Sequence, residues 1–316
     1  MTMNQIPLTW QSPRSISDMG GAIDYISARK DEIQKALENH SAVLFRGFPL
    51  HGPAEFGRII TATGVELLDY HGIGGGGVRN SDWPSVYTTI DDIAPQARQS
   101  PHHERARNSD ITKIPSKLAF YCEVPSASGG ETALCLSSSI ADRLKARHPR
   151  LFAKLSENRL RYCKTSFDKR YSPIGICPVC HQSHISWQEA FGTESKEEVL
   201  SHARSHGISL EFYDDDLVRK GELTVHKAIS SPTGLGGRLI CWTHKMNERP
   251  CSEWIEYEDG TIMHFHEQEC VRRIAIEDEV RVQWRAGDFM LIDNFSAQHS
   301  KCPHRGDRRV YLTMGM

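Results

Sequence analysis

The chain has 316 residues, 39% of them hydrophobic and 25% charged, with 38 basic against 40 acidic side chains and a formal net charge of -2. That length and apolar content suffice to bury a full core, and an all-β barrel with insertions can take this length as one domain. The balanced charge and a sequence pI of about 6.8 give no electrostatic footprint for nucleic acid, and no apolar run is long enough to span a membrane.

Met1-Thr2-Met3-Asn4-Gln5 opens no signal peptide. Nine cysteines, an odd number without framework spacing, suit reduced thiols in a cytoplasmic protein better than a secreted disulfide scaffold. In chain order, residues 20 to 39 are expected to be helical, with Ile23, Ile26, Ile33 and Leu37 roughly on one face, and Ser41 to Phe48 follows as a buried strand. The run Gly74-Gly75-Gly76-Gly77 is too flexible for regular structure and lacks the Lys-Ser/Thr ending of a phosphate loop.

Strands are predicted at Val86 to Ile90, Leu118 to Val124, Thr132 to Leu136, Leu160 to Lys164, Leu223 to Ile229, Val280 to Trp284, Asp288 to Ile292 and Arg309 to Met314. Helices are predicted at Ser137 to Arg147, Ser195 to Ser205 and Glu267 to Ile276. There is no internal repeat and no low-complexity linker. Strands near both ends around a helix-bearing middle predict an all-β core with helical additions, a double-stranded β-helix or cupin-like jelly-roll barrel. The expected organisation is a single domain, residues 1–316, with a large insertion at about residues 165–265 between its fourth and fifth core strands.

Two short stretches carry the chemistry: Pro101-His102-His103-Glu104, and Asp293-Asn294-Phe295-Ser296-Ala297-Gln298-His299 near the C-terminus. Two imidazoles and one carboxylate form the ligand set of a non-haem iron(II) facial triad with open positions. On a β-strand residues i and i+2 share a face, so His102 and Glu104 can meet one metal while His103 points away, and His299 supplies the third ligand from another strand. A His-x-Glu triplet alone is weak, because a chain with 16 histidines and 40 acidic residues produces such triplets by chance. The bland alternatives are a strand-edge hydrogen-bonded pair for His102 and Glu104 and a core histidine for His299.

The surrounding order narrows this. After the His-x-Glu come the strand from Pro115 to Pro125 and Gly129-Gly130-Glu131-Thr132; near the end come Trp284-Arg285-Ala286-Gly287-Asp288, Asp293-Asn294, His299, Pro303, Gly306 and Arg308-Arg309. With Ala42 to Phe48 and Trp187 to Thr193, this order resembles the taurine-dioxygenase-like, or clavaminate-synthase-like, superfamily from roughly residue 40 to the end. The resemblance implies an iron(II)- and 2-oxoglutarate-dependent dioxygenase acting with O2 on a C–H bond of a small molecule, by hydroxylation or, at the same site, desaturation or epoxidation. It implies that His102, Glu104 and His299 bind iron.

Three protein ligands leave a chelating 2-oxo acid in need of a distant carboxylate anchor, a task suited to arginine's planar, permanently charged fork. Arg308, nine residues after His299, matches the anchor of the family pattern His-Gly-Arg-x-Pro-Phe-x-Gly-x-Arg. Arg309 next door faces the other way, so only one can serve, and the family counterpart of Thr132 also bonds that carboxylate. The plain readings are a strand-end salt bridge for Arg308 and an ordinary β-former for Thr132. Ser300-Lys301 replaces the usual Gly-Arg, and His304 the usual Phe.

An intact Glu104 argues against halogenation, since related halogenases have a small residue there. Glutamate instead of aspartate occurs in members that hydroxylate amino acids, free or carrier-bound, a carrier protein being the partner in the second case. The competing reading is a non-catalytic jelly-roll binding protein that holds a ligand through the histidines. A correctly spaced arginine favours the enzyme. A zinc hydrolase fails on ligand order and on the lack of a second general base.

Cys177-Pro178-Val179-Cys180-His181-Gln182-Ser183-His184 contains a Cys-x-x-Cys zinc half-site, with Cys163 fourteen residues upstream as a further donor. Adjacent Cys180 and His181 make an awkward chelate, so a reduced loop is preferred to structural zinc. His264-Phe265-His266 reads as a helix entry or loop pair, and Asp214-Asp215-Asp216 as a solvated face.

Overall fold

The structure, a computed structural model, describes residues 5–69, 83–89, 94–106, 114–170, 186–205, 208–213, 217–227, 229–230, 238–239 and 253–316. The glycine run at 74–77, the acidic run at 214–216 and the Cys177–His184 cluster lie outside them.

Two sheets share the central core. The larger is six-stranded in the order Leu8–Gln11, Ala42–Arg46, Phe289–Asp293, Lys117–Val124, Arg309–Gly315, Tyr87–Thr88. The smaller is three-stranded, with Thr132–Leu136 between Val280–Val282 and Ala297–Lys301, all antiparallel. The larger sheet is buried on both faces, which is why its strands read as near-continuous apolar runs without polar alternation. Val43, Phe45, Ala119, Tyr121, Phe289, Leu291 and Tyr311 face a helical layer. Leu44, Leu118, Phe120, Cys122, Met290, Ile292, Val310 and Leu312 face inward to meet Leu134, Val282 and Ala297 of the smaller sheet.

The helical layer comes from the segment predicted as one helical stretch. It is two helices, Met19–Ser27 and Lys30–His40, joined at Ala28-Arg29, with Pro53–Ala62 beside them. Asp18 caps the first, its Oδ1 accepting from Gly21 N at 2.9 Å, and a left-handed Ser41 ends the second. The core of this layer is aromatic: Phe45 and Phe289, opposite each other in the register, stack with centroids 4.5 Å apart and planes 5° from parallel. Both are fully buried. Phe45→Ala is therefore expected to cost about 3–5 kcal/mol, readable as a shift of the urea unfolding midpoint at unchanged slope.

On the far side of the smaller sheet, Ser137–Arg147, Pro149–Glu157 and Phe265–Glu277 pack with Cys135, Leu160, Tyr162, Ile255 and Tyr257. A separate antiparallel sheet, in the order Glu253–Tyr257, Arg159–Phe167, Leu217–Lys227, Ser209–Tyr213, falls largely within the expected insertion. The content is thus mixed α/β, so the helical additions predicted around the β core are extensive. Helices wall both sheets because apolar strand faces on each outer side had to be covered. The strand expected at Val280 to Trp284 ends at Val282, where Gly287, at φ 85°, and Asp288 close a turn whose Oδ2 accepts from Arg285 N at 2.9 Å. His264 sits at the N-cap of Phe265–Glu277, so His264-Phe265-His266 is a helix entry.

Candidate metal centre

The strand Ala297–Lys301 carries His299 and pairs on one edge with Thr132–Leu136, setting His299 opposite Leu134. Its other edge is met by the segment before Glu104: Gln99 N donates to Lys301 O at 3.0 Å, His102 N to His299 O at 3.1 Å, and His299 N to His102 O at 3.0 Å. Two candidate ligands are therefore directly opposed residues of an isolated antiparallel bridge, and their rings lie 4.3 Å apart between centroids.

Glu104 is placed differently from the strand expectation. The chain leaves the bridge after His102 and turns, with Arg105 at φ 55°, so the same-face rule for alternate strand residues does not bring the carboxylate round. The turn does. Glu104 Oε2 stands 3.9 Å from His102 Nε2 and 3.7 Å from His299 Nε2. The three ligand atoms all lie within 4.8 Å of one another, in the only such group of His, Cys, Asp and Glu found among the described residues. His103 points away as expected: it is buried, with Nε2 2.9 Å from Ser137 Oγ at the start of a helix.

These separations fit a shared ion. They are too long for direct hydrogen bonds, whereas donors on neighbouring positions of an ion, each about 2.0–2.2 Å from it, stand roughly 3 Å or more apart. His102 Nδ1 is 3.0 Å from Ser100 O; a carbonyl only accepts, so Nδ1 carries the proton and Nε2 offers its lone pair inward. His299 Nδ1 is buried without a hydrogen-bond partner among the described residues. Two imidazole nitrogens and one carboxylate oxygen could hold a non-haem iron with positions left open.

A second layer of side chains lies one strand step away. Phe120 packs its ring 5.3 Å from that of His299, and Cys122, two residues on and facing the same core, is ~7 Å further along the strand. Burial pushes the Cys122 thiol up to about 12, against the opposing pull of the Arg308 charge, so the thiol is neutral. Arg308 is half-buried and donates through Nε to Gly130 O at 3.0 Å. A Cβ at Gly130 would crowd Arg308 Cδ at 3.1 Å and Ser126 Oγ at 2.3 Å, so the glycine at φ 73° is what lets the arginine lie along the backbone.

Thr132, two residues before Leu134, is buried at the same level, and its Oγ1 accepts from Trp284 Nε1 at 3.0 Å. Arg309 points outward and pairs with Glu123 Oε2 at 2.7 Å with more than half its side chain exposed. The structure thus gathers His102, Glu104 and His299 in one cluster, while Arg308 bonds to Gly130, two residues before Thr132.

Sequence reasoning passed over three supports of this arrangement: the Trp284–Thr132 bond, the His103–Ser137 bond, and the amide of Asn294, which bonds the Glu104 backbone. An amide two residues after the apolar run Phe289 to Ile292 is a signal that could have found the last.

The sequence profile of the Taurine catabolism dioxygenase TauD, TfdA family matches residues 17–315. A clavaminate synthase-like protein of Arabidopsis thaliana is 30% identical over 311 residues, covering 92% of this chain and 86% of its own. The dapdiamide synthesis protein DdaC of Enterobacter agglomerans is 23% identical over 302 residues, covering 89% and 84%. Among solved structures, PvcB, described as an Fe, alpha-ketoglutarate dependent oxygenase from an isonitrile synthetic pathway, superposes with a TM-score of 0.52 at 11% identity, covering 99% of this chain and 87% of that one.

Proposed function

This chain belongs to the TauD/TfdA family of iron(II)- and 2-oxoglutarate-dependent dioxygenases, and from that premise we propose that it oxidises, by hydroxylation, a C–H bond of an amino acid or amino-acid-derived small molecule, free or carrier-bound. The observation that carries the reading is the convergence of His102, Glu104 and His299, in the order His-x-Glu … His, on one point inside the paired sheets. When bound, iron(II) and 2-oxoglutarate supply the oxidising chemistry: O2 is consumed, 2-oxoglutarate becomes succinate and carbon dioxide, and one oxygen atom is transferred to the substrate.

In this reading His102 and His299 hold the metal through Nε2 and Glu104 through its carboxylate. Ser100 O fixes His102 in the tautomer that makes this possible. Arg308 receives the distal carboxylate of 2-oxoglutarate. Its support is its half-buried position, bonded through Nε to Gly130 O two residues before Thr132, and its electrostatic pull on Cys122; the outward Arg309, engaged with Glu123, is left without that role. Thr132 donates its hydroxyl hydrogen to the same carboxylate, because its oxygen already accepts from Trp284. Trp284→Phe removes that orienting donor and should weaken 2-oxoglutarate binding roughly 2- to 10-fold, the worth of one neutral hydrogen bond, in an anaerobic titration.

The facing sheets are read as a jelly-roll of one domain, residues 1–316, with an insertion at about 165–265 that covers the substrate. The substrate class rests on the glutamate ligand, Glu104, and on the likeness to the dapdiamide synthesis protein DdaC. The test is a succinate-release screen over amino acids and related acids, with product mass giving the oxidation type. A product heavier by one oxygen supports hydroxylation of that substrate, and substrate-dependent succinate confined to acids lacking an amino group would overturn the substrate class.

A further inference from the structure

The three ligand-bearing residues are not held alike. His102 and His299 are fixed by the backbone bridge they form with each other. Glu104 lies outside any strand, in a turn with a left-handed Arg105, and a side chain grips its backbone. Asn294, fully buried, accepts at Oδ1 from Glu104 N at 2.8 Å and donates through Nδ2 to Glu104 O at 3.0 Å. Its second Nδ2 hydrogen goes to Pro115 O at 2.9 Å, and its own backbone N–H donates to Ser116 O at 2.9 Å.

A primary amide has the donor and acceptor of a peptide group side by side, so Asn294 grips both polar atoms of the Glu104 backbone as a neighbouring strand would. The grip is referred to a rigid base. Asp293 Oδ1 accepts from Phe295 N and Ser296 N, both at 2.9 Å, and the strand bearing His299 starts at Ala297. The distance from the carboxylate to His299 therefore runs through Asn294 and one short, hydrogen-bonded turn.

We propose that Asn294 is the positioning residue of the carboxylate ligand, holding both polar atoms of the Glu104 backbone and so fixing the carboxylate against the two imidazoles. The proposal rests on the reading of His102, Glu104 and His299 as a metal site. Aspartate at 294 would keep the acceptor for Glu104 N but turn an oxygen toward the carbonyls of Glu104 and Pro115, losing both donors.

The test is the affinity of the anaerobic protein for Co(II), read from its visible absorption, in wild type, Asn294→Ala, Glu104→Ala and the double variant, each confirmed folded by circular dichroism. Asn294→Ala should weaken Co(II) binding roughly 10- to 100-fold, as losses of groups that orient a ligand do. In the Glu104→Ala background there is no carboxylate left to position, so adding Asn294→Ala should change the affinity little. Full-strength effects that multiply in the double variant, or an Asn294→Ala affinity equal to wild type, overturn the proposal. Glu104→Ala without effect would instead overturn the metal-site reading itself.

Where Asn294→Ala does not fold, Asn294→Asp, which keeps the volume, takes its place with the same expected weakening. In the unmodified chain the Glu104 amide should exchange its hydrogen as slowly as the strand amides around it. Rapid exchange there overturns the clamp without recourse to any variant.

Discussion

His102→Ala, Glu104→Ala and His299→Ala are each expected to lower 2-oxoglutarate turnover by roughly three orders of magnitude or more, because losing one of three protein ligands removes both affinity and geometry. His299 is the sharpest case. It lies in the middle of a paired strand, and alanine there keeps the backbone bonds to His102 and to the strand Thr132–Leu136, so the fold should survive while the iron site does not. Turnover is measured as succinate release with added iron(II), and folding by circular dichroism on the same preparation. A folded His299→Ala protein with near-normal turnover would remove this cluster from consideration as the metal site.

The second large effect concerns the cofactor anchor. Arg308→Gln should weaken 2-oxoglutarate binding by about 2–4 kcal/mol, the scale of a charge-assisted pair whose carboxylate is left without its cation; this is roughly a 30- to 1,000-fold loss of affinity. Arg309→Gln should do far less, since its exposed pair with Glu123 is of the kind worth about 0–1 kcal/mol to stability. Titration of the anaerobic iron complex, followed by its metal-to-ligand absorption band, separates the two. The reverse ranking would assign the anchor to Arg309.

Much of the fold was legible where local pattern and tertiary role agree. Thr132–Leu136 and Ser137–Arg147 fall where the apolar runs and helical spacing put them, because a strand buried on both faces and an amphipathic helix each leave a periodic trace. The break between Met19–Ser27 and Lys30–His40 was not legible, since neither Ala28 nor Arg29 is a breaker by type. The extent of the helical additions around the β core was not legible, because strands imply sheets but do not say how much covers their outer faces; here helices do.

At the site, the meeting of His102, Glu104 and His299 was legible, but the reason given for their convergence could not stand. Glu104 reaches the histidines through a turn, and nothing in a His-x-Glu spacing distinguishes a turn from a strand. The supports were invisible for a related reason. Asn294 and Glu104 are 190 positions apart, and Trp284 and Thr132 are 152 apart, so no window of sequence contains both members of either pair.

One side-chain amide holds the carbonyls of both Glu104 and Pro115, so the two ends of the chain between them are pinned to a single buried point. Where that chain is described it is anchored again: Ala106 and Ile114 are buried with Phe295, the neighbour of Asn294, packed against them. Length added between those two anchors would cost little in closure entropy, since doubling a closed segment adds only about 0.6 kcal/mol.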